Sequence, residues 1–174
     1  MIAVDASAGT PASSGAHPTP RAEAITAALG PMPWLTATGR LEQVLTAWGR
    51  GYLAEVPVGI GFDVLLTPGP LAGDTVRRMC AAGRRIGPVV LGPRGAESIL
   101  ERGSAHGWRA PHSSLLPPPG VHVPELVADR GWLVPPCHPE TGAPLCAEVT
   151  PAGVLLEPYL ASVETAREER RRCA

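Results

Sequence analysis

Asp63 is the only carboxylate in the apolar run I-G-F-D-V-L-L-T-P, residues 60 to 68. On a strand, side chains alternate between faces. That puts Phe62 and Val64 on one side and Gly61, Asp63 and Leu65 on the other. A carboxylate facing a cleft is able to hold a divalent cation such as Mg²⁺ or Mn²⁺ through oxygen. Two-metal nucleotidyl transfer asks for two such groups, spaced i and i+2, so that both enter one cleft. Leu65 stands at the second place. The preferred reading is therefore a solvated or hydrogen-bonded structural Asp63, with a metal role as the competing one. On a sheet covered on both faces, an unpaired carboxylate there would be costly.

A second group is basic. Arg77, Arg78, Arg84, Arg85, Arg94, Arg102 and Arg109 outnumber the neighbouring Asp74, Glu97 and Glu101. Arg77, Arg78, Arg84, Arg85 and Arg109 are the candidates for a face that meets phosphate. The preferred reading is nonetheless a solvated helix face, because all 15 basic residues of this chain are Arg and none is Lys. Trp108 and Trp132 offer little aromatic interleaving for base stacking. In C-H-P-E-T-G-A-P-L-C, Cys137, His138 and Cys146 could begin a zinc site completed by His112 or His122. The spacing fits no common zinc module, and a metal-free loop is preferred. The chain has no GxSxG, no papain-type cysteine signature and no P-loop.

Composition bounds the remaining classes. The chain has 174 residues, 44% hydrophobic and 18% charged, with a formal net charge of -1. Attraction of the whole molecule to nucleic acid or anionic membrane is not forecast. Cys80, Cys137, Cys146 and Cys173 form no CxxC pair. The first residues lack a basic region followed by an apolar one. No apolar run approaches the ~20 residues of a membrane helix. A soluble, cytoplasmic protein with reduced thiols is expected.

These residues need elements to position them. Residues 1–20 are rich in Ala, Ser, Gly, Thr and Pro and read as a disordered tail. A short helix is expected from Thr19–Pro20 to Gly30. In T-G-R-L-E-Q-V-L-T-A-W-G-R-G, Leu41, Val44, Leu45 and Trp48 make one helical face. Thr38 is a candidate N-cap and Gly49 or Gly51 a stop. This helix should lie on a sheet. A strand is expected across V-G-I-G-F-D-V-L-L-T-P-G. A helix follows over P-L-A-G-D-T-V-R-R-M-C-A-A-G-R-R, with Val76, Met79, Cys80 and Gly83 inward and its arginines outward. A second strand is expected in I-G-P-V-V-L-G-P-R-G. Residues 96–102 are rich in helix formers, which argues helix. H-S-S-L-L-P-P-P-G and R-G-W-L-V-P-P read as short strands at sheet edges, since proline cannot donate to a ladder. The chain closes with an amphipathic helix whose Leu156, Leu160 and Val163 share a face. Its acidic residues precede its basic ones, the order that the helix dipole favours.

Taken together, G-F-D-V-L-L-T-P-G, L-A-G-D-T-V-R-R-M-C-A-A-G-R-R-I-G-P-V-V-L, S-S-L-L-P-P-P-G and G-W-L-V-P-P resemble the N-terminal domain of actinobacterial bifunctional DNA primase-polymerases. These belong to the archaeo-eukaryotic primase superfamily, and the likeness is greatest to its short, single-domain members in Streptomyces-like genomes. It covers residues 38 to 165, within one domain spanning 21–174. The resemblance implies an α/β (α+β) fold with an RRM-like sheet, and a strand at 96–102. In active members it implies nucleotidyl transfer with divalent metal, an acidic pair on a strand and a histidine that meets the nucleotide phosphates. Asp63 matches the first acid. Leu65 replaces the second, and G-A-E-S-I-L-E, residues 95–101, lacks the histidine. His106 and His112 lie later and match nothing. The resulting expectation is a catalytically degenerate domain that acts as a regulatory module, binding a nucleotide, a nucleic acid or a protein. One alternative is an active nucleotidyltransferase that draws missing ligands from Glu97 or Glu101. Another is an interaction protein that pairs through a sheet edge or the terminal helix.

Overall fold

A computed structural model describes residues 32–50, 52–54, 56–116, 131–135 and 148–173. The tail, the helix expected before Gly30, and Cys137, His138, Cys146 and His122 lie outside these residues. Element order is α1 (Pro33–Thr36), α2 (Leu41–Gly49), β1 (Phe62–Thr67), α3 (Gly69–Ala81), β2 (Val89–Gly92), β3 (Gly95–Glu101), β4 (Ser114–Leu115), β5 (Gly131–Val134) and α4 (Ala152–Arg172). The architecture is α+β.

The five strands run in the order β4-β1-β3-β2-β5, each antiparallel to its neighbour. β1 and β2 are both antiparallel to the β3 between them, so they are parallel to each other, and α3 joins them as a split β-α-β unit. Residues 96–102 are thus mostly strand. Helix formers such as Glu97 and Leu100 are overruled by the six-pair ladder with β1 and by a hairpin that pairs Gly92 with Gly95. The two proline-flanked segments, β4 and β5, take the outer places expected of them.

The sheet is covered on both faces. On one, Leu65, Val89 and Leu100 pack against Leu71 and Met79 of α3 and Leu155, Tyr159 and Val163 of α4. On the other, Phe62 and Val64 pack against Trp34 and Leu35 of α1 and Val44, Leu45 and Trp48 of α2. The apolar stripe of α2 is the one its spacing predicts. Among the described residues, no helix is long and apolar enough to cross a membrane.

Four local expectations are corrected. Thr38 does not cap α2. That helix starts at Leu41 behind Arg40, and the Thr38 hydroxyl donates to the Leu35 carbonyl while accepting from the Arg40 N–H. α3 ends at Ala81, so Gly83, Arg84 and Arg85 lie beyond it. Its buried residues are Leu71, Ala72, Thr75 and Met79, with Val76 packed partly against the core as expected, whereas Cys80 is exposed. Arg78 is only partly exposed, because it folds back onto α4. In α4, Leu160 points outward and Tyr159 and Ser162 point inward. The buried residues are Ala152, Leu155, Pro158, Tyr159, Ser162 and Val163; of the expected stripe, Val163 is buried, Leu156 packs partly against the core and Leu160 is exposed.

Candidate functional site

Asp63 stands at the start of β1. Its Oδ2 accepts the backbone N–H of Gly103 at 2.8 Å. Arg102, next in the chain, turns its guanidinium onto the carbonyls of Gly59 and Ile60. The carboxylate therefore has a backbone partner in the turn that follows β3.

The position two places on is closed. Leu65 is 0% exposed and belongs to the core beneath α3 and α4. The ladder register also decides about Glu97 and Glu101. Residues directly opposite one another on paired strands share a face. Asp63 is opposite Leu100 and Leu65 opposite Ser98, whereas Glu101 is opposite Phe62 and Glu97 opposite Leu66. Both glutamates project from the face away from Asp63, and Arg94 lies 3.6 Å from Glu97. Neither Leu65 nor the two glutamates can therefore complete a metal pair with Asp63. Among the described residues, no group of three or more His, Cys, Asp or Glu is arranged to hold an ion. His106 and His112 are exposed, and His112 occupies a turn with φ +58°.

Several of the candidate arginines have partners within the chain. Asp74 accepts from Arg77 at 3.0 Å and from Arg78 at 2.7 Å. Arg78 reaches on to the Thr165 hydroxyl of α4 at 2.9 Å. Arg84 pairs with Glu157 of α4 at 3.1 Å. Arg85 is exposed. Arg109 is exposed too, and its guanidinium donates to the Trp108 carbonyl. Three of the five candidate phosphate ligands thus have carboxylate partners within the chain, and two of them tie α3 or its exit to α4.

The Arg78 guanidinium holds the Asp74 carboxyl below the usual carboxylate range, with smaller help from Ser162 and Arg77 and against the effect of partial burial. A depressed folded value means that stability is present above the ordinary aspartate value and lost as pH falls through the lower folded one. Asp74→Asn is expected to lower stability at neutral pH by at most about 1 kcal/mol, since the pairs are partly solvated. The gap from the parent chain should close as pH drops below about 3.9. Denaturant melts of both chains between pH 2 and 7 check this; a gap that is constant or widens toward acid contradicts it.

Several positioning residues are not legible from the sequence. Thr75 donates to the Leu71 carbonyl at 2.7 Å and lies 3.2 Å from Ser162, whose hydroxyl donates to the Pro158 carbonyl at 3.0 Å. This buried hydroxyl pair joins α3 to α4. The Tyr159 hydroxyl donates to the Pro111 carbonyl at 2.8 Å, and Trp108 donates to Ser113 at 2.8 Å; together they hold the connection between β3 and β4 over the core. The Ser104 hydroxyl accepts the Ala152 N–H at 3.0 Å and so caps α4 from a distant turn. Of these, Thr75 with Ser162, Tyr159 with Pro111 and Ala152 with Ser104 are long-range in sequence, so local spacing carries no trace of them.

No family model matches this chain, and no curated protein or solved structure matches it.

Proposed function

We propose that this chain is a binding module built on a primase-polymerase-like α+β fold, that it does not perform nucleotidyl transfer, and that its partner is a protein. The observation that carries the reading is Leu65, wholly buried beneath α3 and α4 where the second metal-binding acid would stand. The resemblance in the strand and proline segments and the split β-α-β order support the scaffold. A protein partner is favoured over nucleic acid because Arg77 and Arg78 share the Asp74 carboxylate, Arg84 pairs with Glu157, and the net charge of the chain is -1. A polyanion gains affinity only from bases free to displace its counterions. Exposed Tyr52, Leu91 and Leu115 add apolar surface of the kind that protein interfaces use. A cytoplasmic location accords with this reading.

The test is primer extension with nucleoside triphosphates and Mg²⁺ or Mn²⁺, run beside fluorescence anisotropy on single-stranded DNA. Extension should not exceed that of Asp63→Ala. DNA affinity should be the same in the parent chain and in the Arg77→Ala, Arg78→Ala double variant. Metal-dependent extension abolished by Asp63→Ala would overturn the non-catalytic reading. Salt-sensitive DNA binding lost in the double variant would overturn the choice of a protein partner.

A further inference from the structure

The last pair of the β1–β3 ladder is Phe62 with Glu101. Beyond it the two chains separate, yet they stay joined by side chains. Asp63 reaches across to the Gly103 N–H at 2.8 Å, and Arg102 reaches back to the carbonyls of Gly59 and Ile60. Both contacts are charge-assisted hydrogen bonds to backbone, roughly twice as strong as neutral ones. The loop so gripped closes on itself, with the Gly59 N–H donating to the Phe62 carbonyl at 2.9 Å. It also carries α1. A Cβ built on Gly61 would lie 1.8 Å from the Trp34 carbonyl oxygen, and the Trp34 ring meets Phe62 edge-on at 5.5 Å.

We infer that Asp63, Arg102 and Gly103 form a strap that fixes residues 58–61 and, through them, α1 against the sheet. Asp63 is the positioning residue of this strap and not a cation ligand. Asp63 holds the Gly103 turn to β1 and the neighbouring Arg102 Nη1 donates to the Gly59 and Ile60 carbonyls, so loss of either should loosen the loop while the ladder stays intact.

Amide hydrogen exchange by NMR on the full chain tests the strap, with Asp63→Ala, Asp63→Asn and Arg102→Ala as variants and Mn²⁺ as the probe ion. Asp63→Ala should speed exchange at Gly103 about tenfold, the scale of one hydrogen bond, with the amides of the Leu65–Ser98 ladder pair unchanged. Asp63→Asn keeps an acceptor oxygen and should retain most of the protection. Arg102→Ala should speed exchange at Gly59. Equal exchange at Gly103 with and without the carboxylate, or at Gly59 with and without Arg102, overturns the strap and leaves the proposed function standing. Paramagnetic broadening by Mn²⁺ centred on residue 63 and absent from Asp63→Asn overturns both. If Asp63→Ala does not fold, Arg102→Met keeps the apolar stem but not the donor; unchanged exchange at Gly59 in that variant equally overturns the strap.

Discussion

Leu65→Asp is expected to unfold the domain, not to complete a metal pair. Leu65 is 0% exposed and shares its core with Leu71, Met79, Leu100 and Tyr159. Removing a buried leucine side chain costs about 2–5 kcal/mol by itself. Placing a carboxylate there without a partner adds at least about 2 kcal/mol more. The sum is comparable with the whole stability of a domain, about 5–15 kcal/mol. Far-UV circular dichroism during urea denaturation should show a chain largely unfolded at neutral pH. The defect should ease as pH falls, because protonation removes the charge that burial disfavours. Leu65→Met nearly conserves volume and should stay within about 1.5 kcal/mol of the parent chain. A folded Leu65→Asp that takes up Mn²⁺ would show instead that this face of β1 lines a cleft.

The parity that placed Asp63 with Leu65 was legible from the sequence, since strand alternation needs only the strand. Which face was closed was not, because α3 and α4 come from segments that meet only in the folded chain. The same division holds elsewhere. The Leu41, Val44, Leu45 and Trp48 stripe of α2 is a local period and was readable. The edge placement of β4 and β5 followed from proline chemistry. The inward face of α4 was read in part: Val163 is inside as expected, but a tyrosine and a serine join it and Leu160 is outside. Tyr159 is admitted by the Pro111 carbonyl, and Ser162 by Pro158 and Thr75. Those partners are unknowable from apolar spacing. Asp74 lies within one turn of Arg77 and Arg78, but the acid that meets Arg84 is Glu157, 73 residues away, and could not be read from local spacing. For residues 96–102 the sequence offered two answers, and the register with β1 chose strand.

Gly61→Ala should be the most damaging single-methyl change near the candidate site. Its Cβ would stand 1.8 Å from the Trp34 carbonyl oxygen and 2.8 Å from the carbonyl carbon. Both are backbone atoms, so no side-chain rotation relieves the overlap. Either β1 shifts, which strains the Phe62–Glu101 end of the ladder, or α1 lifts. Lifting α1 pulls Leu35 out of the core and breaks the edge-on contact of Trp34 with Phe62. A loss of about 4 kcal/mol is expected, in the range reserved for severe core disruption. Gly103→Ala makes the useful contrast. Gly103 has φ +75° and nothing within 4 Å of an added Cβ, so its penalty is backbone strain alone, about 1–2 kcal/mol. It also keeps the N–H that Asp63 accepts. Denaturant melts followed by tryptophan fluorescence should separate the two. Gly61→Ala should shift emission to the red as Trp34 and Trp48 meet water, while Gly103→Ala keeps the native spectrum. Equal stability of the two variants would mean that α1 is not seated on this loop, and the strap between Arg102 and Asp63 would then have nothing to hold in place.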